Sequence, residues 1–174
     1  MQDSELLTLV RKVRKPRKEM FTLWMDLFVQ PKERPRKGKN GIFYTPPKTA
    51  KFEKEVRDAA RKRMQKLNLS PLVGALSVEL FIYEEIDFKW SEPNKLLCEM
   101  GFIVPMTEEG DIDNKTKAIF DALNGVVYRD DCQIAHKEVE HSYRNVAGFS
   151  LKIVPTRALR KSEAVLIEKL ALQK

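Results

Sequence analysis

Asp111-Ile112-Asp113-Asn114 follows a glycine and opens a run of helical spacing, so its two carboxylates project near a helix N-terminus. Four-residue steps from Asp113 to Lys117 and Asp121 stack those side chains along one helix face. Ile119, Phe120 and Leu123 fall on other faces and can anchor the helix in a core. Gly125-Val-Val-Tyr128-Arg-Asp130-Asp131 then returns two more acids after a turn. Clustered carboxylates beside a lysine suit phosphodiester hydrolysis. Mg2+ takes hard oxygen ligands, binding through carboxylates together with water and phosphate. The bound ion orients and acidifies a water and neutralises charge on the phosphate, and a nearby lysine stabilises that charge or assists proton transfer.

Rival readings of the same residues can be tested directly. As a calcium loop starting at Asp111, the fifth, sixth and twelfth positions are Lys115, Thr116 and Ala122, where an EF-hand needs an oxygen ligand, Gly and Glu. As a phosphatase nucleophile, Asp111 should end an apolar strand, but Met106-Thr-Glu-Glu-Gly110 precedes it. The plainer alternative is that Asp111 and Asp113 cap a helix and that Asp130-Asp131 is a surface turn. The second acidic pair and the aligned lysine favour a site.

The elements that must position these residues follow from periodicity. Residues 4–15 form a basic, mildly amphipathic helix or loose arm stopped by Pro16, and residues 20–29 read as a strand with Trp24 and Phe28 on one face, as core. Residues 31–41 are too rich in Pro, Gly and charge to be regular. Residues 42–45 make a short strand, and 48–66 have helical spacing at Phe52, Val56, Ala60 and Met64. Strands are expected at 75–83, 133–143 and 148–154. Helices are expected at 94–100, 113–123 (stopped by Asn124-Gly125) and 157–172. The order predicts an α+β fold in three parts: a basic arm or helix over 1–18, a domain over 19–155 and a C-terminal helix over 156–174.

Charge is divided along the chain. Residues 1–66 hold 19 Lys/Arg against 8 Asp/Glu, whereas residues 67–174 hold 13 against 17. A polycationic half draws polyanions by counterion release, and carboxylates near a phosphate backbone need a cation between them. Nucleic acid and a divalent metal are the partners this implies. At 174 residues with 43% hydrophobic content the chain suits one globular domain. There is no apolar run of about 18 residues to span a membrane. Met1-Gln2-Asp3-Ser4 lacks a secretion-signal order, so a cytoplasmic location is expected. Cys98 and Cys132 form no CxxC pair, and Cys132 reads as packing. His136 and His141 face opposite sides of a strand as ordinary, partly exposed residues.

The blocks Asp111-Ile-Asp113-Asn114-x-x-Lys117, Asp121-Ala-Leu-Asn-Gly125 and Tyr128-x-Asp130-Asp131-x-Gln133-Ile134 resemble the RusA family of Holliday-junction resolvases. Upstream, Pro31-Lys-x-Arg34-Pro-Arg36, Tyr44-Thr-Pro46 and a following basic helix agree, so the resemblance covers roughly residues 20–154. It implies a small mixed β-sheet with packed helices, to which this chain adds a C-terminal helix. It implies Mg2+ held by Asp111, Asp113 and Asp131 and a catalytic role for Lys117; the sequence itself leaves Mg2+ or Mn2+ open. Asp130, Asn114 and Asp121 would support these from behind. The implied protein is a homodimer whose two sites nick opposing strands of a four-way junction. Glu108-Glu109 departs from relatives with basic residues before the DxDN block, and residues 84–106 and 157–174 exceed the smallest members.

The DNA-binding residues expected are Lys32, Arg34, Arg36, Lys37 and Lys39 in the Pro-rich loop and Arg57 and Arg61 on the basic helix. Phe43 and Tyr44 could stack on unpaired bases or be core aromatics. The function expected is a Mg2+-dependent, structure-selective endonuclease of branched DNA. The alternative is a DNA-binding accessory protein of the same fold that does not cut.

Overall fold

Alternation builds the sheet. In strand β4 (Leu76–Glu85), Leu76, Val78, Leu80 and Ile82 are buried at every second position, the signature of a strand with one covered face. It pairs parallel with β5 (Ile134–Arg144) and antiparallel with β6 (Gly148–Pro155), and β6 pairs antiparallel with β1 (Phe21–Met25). The result is a four-stranded mixed sheet in the order β1-β6-β4-β5. A separate two-stranded ribbon joins β2 (Arg36–Lys37) to β3 (Phe43–Tyr44). The computed structural model describes residues 3–14, 19–38, 41–106, 110–156 and 158–172. Pro16, Lys39 and the Glu108-Glu109 pair lie outside those residues.

Two helices cover one face of the sheet. Helix α2 (Pro47–Lys66) has proline at its first position, where no N–H is needed. It buries Phe52, Val56, Ala60 and Met64 at four-residue steps. Helix α4 (Ile112–Leu123) packs against it and buries Ala118, Ile119, Ala122 and Leu123. These side chains share one core with Phe21, Val78, Leu80, Ile82, Leu151 and Ile153 of the sheet. A smaller core of Ile86, Cys98 and Tyr143 forms beneath α3 (Glu92–Glu99), with Trp90 edge-on to Tyr143 at 5.3 Å. Outside this body, α1 (Asp3–Val13) and α5 (Lys161–Leu172) pack on each other, and Leu9 and Ile167 are their buried apolar residues. Among the described residues, no helix is long and apolar enough to cross a membrane.

Three expectations change. Trp24 and Phe28 are not core: they are 59% and 51% exposed. The inward phase of β1 belongs to Phe21 and Leu23, and the ladder stops at Met25 opposite Phe149 because β6 begins at Gly148. A Cβ on Gly148 would lie 2.4 Å from the Met25 carbonyl oxygen, so only glycine lets the two backbones approach there. The Pro-rich segment 31–41 is not wholly irregular, since Arg36 and Lys37 pair with Tyr44 and Phe43. Third, His141 is not an ordinary surface residue, as the site below explains.

Candidate functional site

Helix α4 begins at Asp111, whose Oδ1 accepts the Asp113 backbone N–H at 2.9 Å as its N-cap. Capping engages one oxygen, and a carboxylate keeps acceptor capacity beyond a single N–H. Asp113, Asn114 and Lys117 are exposed, while Asp121 on the same face is half-buried. Lys137 of β5 lies 3.8 Å from Asp113 Oδ1, with both side chains well exposed. A surface pair of this kind is worth about 0–1 kcal/mol.

The Asp130-Asp131 turn is held by other side chains. Gln133 accepts the Arg129 N–H at 2.9 Å and donates to the carbonyls of Leu72 and Gly74, both at 3.1 Å. Asp130 caps the short 3-10 turn Asp131–Gln133 by accepting the Cys132 N–H at 2.9 Å. Side-chain and backbone hydrogen bonds from Cys132 keep the Asp130 carboxyl below its usual range. The same contact pushes the Cys132 thiol up, the opposite of what a nucleophile requires. Asp131 is half-buried and does not share this capping role. Tyr128 is buried and donates to the Phe120 carbonyl at 3.0 Å. Burial, then the charges of Asp131, Asp121 and Asp130, push its phenol above the ordinary range. The turn therefore lies by the C-terminal half of α4, whereas Asp111 and Asp113 mark its N-terminus.

Asp111 and Asp113 are exposed oxygen donors at one helix end, a donor set that fits a hard divalent cation. Among the described residues, however, no three His, Cys, Asp or Glu side chains of one chain form a metal-holding group.

The basic segment is tied to the acids rather than loose beside them. Gly110 adopts φ +97, and a Cβ there would sit 2.6 Å from Pro31 Cγ, so glycine is what allows Pro31 to lie against the loop before Asp111. The Lys32 backbone N–H donates to the Asn114 carbonyl at 3.1 Å, and its ammonium pairs with Asp121 and with Glu53 at 2.9 Å. Burial opposes the Lys32 charge, but these two carboxylates raise its pKa overall. Lys32, expected to meet DNA, straps its segment onto α4 through Asp121 and stays partly exposed. Arg34, Arg36 and Lys37 are exposed, with Arg36 3.1 Å from Glu33. On α2, Arg57 is half-buried and Arg61 exposed, 3.4 Å from Asp58.

Sequence reasoning missed a buried cluster behind this site. Lys115 is fully buried and its ammonium pairs with buried Glu84, whose Oε1 also lies 2.8 Å from His141 Nε2. Phe28 covers the Lys115 ammonium, 5.2 Å from its ring centre. With Glu84 as a carboxylate, His141 Nε2 must carry the donated proton. His141 also lines a cavity with Asp111, Gly110 and Pro105. The signal was present: Glu84 continues the inward series Leu76, Val78, Leu80, Ile82, and Lys115 lies one turn before Ile119 on the core face. A charge on a buried face needs a partner.

A model of the family described as Endodeoxyribonuclease RusA matches residues 27–154. The chain is also 31% identical over 74 residues to the uncharacterized protein YqaN of Bacillus subtilis (strain 168), a match covering 41% of this chain and 51% of that relative's length. The family match takes in the Pro31–Glu33 strap, the ribbon, α2, β4, α4, the Asp130-Asp131 turn and nearly all of β6, and leaves out α1, β1 and α5. On this span the chain belongs to the RusA family of endodeoxyribonucleases.

Proposed function

We propose that this protein is a Mg2+-dependent endonuclease that resolves four-way DNA junctions by paired nicking as a homodimer. The observation that carries the reading is the exposed acid face of α4, Asp111 and Asp113 followed by Lys117, strapped to a basic segment within the family-matched span. Asp111 and Asp113 would hold the cation, with Asp131 as third acid. A bound divalent cation supplies water activation and charge neutralisation at the phosphate. Lys117 stabilises the charge that develops there. Asp130 shapes the turn that carries Asp131, and Asn114 and Asp121 fix the strap. Arg34, Arg36, Lys37, Arg57 and Arg61 hold the DNA backbone.

The test is a labelled synthetic four-way junction incubated with the purified chain. Symmetric nicks in opposing strands with Mg2+, none with EDTA and none in linear duplex are expected. Cutting that persists in EDTA, or equal cutting of duplex, would sink the reading. The competing reading is a DNA-binding protein of the same fold that does not cut; the intact Asp111, Asp113, Asp131 and Lys117 argue against it. Junction binding with no nicking in any divalent metal would establish it instead.

Phosphate contact by the basic segment has its own measurement. Arg34→Ala with Arg36→Ala is expected to flatten the slope of log affinity against log salt by about 2, near one unit per lost phosphate contact. Fluorescence anisotropy in EDTA reads this without cleavage. An unchanged slope would remove these arginines from the DNA surface.

A further inference from the structure

The exposed aromatic residues of the β2–β3 ribbon are the feature this function leaves unexplained. Its pairing sets Arg36 opposite Tyr44 and Lys37 opposite Phe43, so each face of the ribbon carries one cation and one aromatic ring. Both faces are exposed: Ile42 is 72%, Phe43 67% and Tyr44 47% accessible. The ribbon takes no part in the main sheet, and an isolated two-stranded hairpin is marginal in water without something against its apolar groups. Its root is nonetheless fixed. Pro31 lies against Gly110, Lys32 binds Asn114 and Asp121, and the Glu33 N–H donates to buried Thr49 Oγ1 at 3.3 Å.

We propose that this ribbon is a branch-point probe, whose Phe43 and Tyr44 stack on bases at the opened centre of a DNA junction while Arg36 and Lys37 meet the flanking phosphates. The inference rests on the endonuclease reading above and adds how branched DNA is told from duplex. An aromatic ring presented on both sides of a thin ribbon suits a gap between two stacked surfaces. Continuous duplex has no such gap, and opening one means unstacking a step. At a junction the arms already part, and base–aromatic stacking needs no particular sequence. The root also sets a distance. Gly38 lies five residue steps beyond Glu33, about 16 Å of strand, which spans roughly five base steps. Cuts are therefore expected within about five nucleotides of the branch point.

The experiment uses full-length protein in EDTA, so that binding is read without cleavage. 2-Aminopurine is placed either at the branch point or mid-arm of a four-way junction. Wild type is expected to raise fluorescence at the branch point alone. Phe43→Ala with Tyr44→Ala should abolish that rise and weaken junction binding about tenfold while leaving duplex binding unchanged. Phe43→Trp should retain both signals. Wild type that does not bind the junction at all overturns the endonuclease reading and this one together. Wild-type junction binding with an unaffected double variant overturns the probe alone, as does an equal loss on duplex. A change of assembly mass on sedimentation of the variant reassigns the ribbon to contact between copies of the chain, and also overturns it.

Discussion

Asp113→Asn is expected to lower junction cleavage about a thousandfold, or ~4 kcal/mol of transition-state stabilisation, with junction binding kept. The substitution removes a charge and preserves shape. The Asp113 side chain is 82% exposed, with only a 3.8 Å approach from Lys137, so folding has little to lose beyond a favourable carboxylate at a helix N-terminus, about 0.3–1 kcal/mol. Asp111, the capping residue, would confound the result by fraying α4, which is why Asp113 is the better probe. Single-turnover cleavage beside a gel shift makes the measurement. Cleavage at the wild-type rate would remove the acids of α4 from the chemistry.

Lys115→Met is expected to destabilise the fold by about 3–5 kcal/mol, because it strands Glu84 as an uncompensated charge in the interior. For a chain of this length that corresponds to a fall in Tm of roughly 6–20 °C. Adding Glu84→Gln should recover most of the loss, since the amide needs no cation and can still accept from His141. The effect centres on the site: the Lys115 backbone N–H bonds the Asp111 carbonyl at 3.0 Å, and its ammonium ties that turn of α4 to β4, with His141 of β5 on the same carboxylate. Urea unfolding of the two single variants and the double one isolates the coupling. A Lys115→Met protein as stable as wild type would show that the pair contributes nothing net.

The parts of the fold that were legible are those whose period is written in apolar residues. Leu76-Val78-Leu80-Ile82 announces β4, and Phe52-Val56-Ala60-Met64 announces α2. The Asp113-Lys117-Asp121 face of α4 followed from the same spacing, and those residues lie exposed or half-exposed along the helix. What escaped was determined by partners far away in sequence. Trp24 and Phe28 have the spacing of a strand face, but β1 ends where β6 starts, a fact about residue 148 rather than residue 28. Lys115 and Glu84 were passed over because a reading built on apolar positions skips a charge on the inward face. The β2 strand hides in a basic run because two residues show no period; it exists through its cross-strand partners and a root at Thr49 and Asn114.

The order of strands carries a consequence for synthesis. β6, the last strand of the sheet in chain order, is inserted between β1 and β4, the first and second. A growing chain that has reached residue 147 owns both acid-bearing segments and the basic half, yet β1 has no neighbour to pair with. The β4–β5 pair it could form is parallel, closed across a long crossover that contains α3 and α4, and such distant pairings form slowly. A ribosome-bound chain therefore holds every side chain of the proposed nuclease without the sheet that aligns them. The sheet cannot be completed until β6 has been made and is free to pair, so the proposed cutting activity would be held off until that strand is in place.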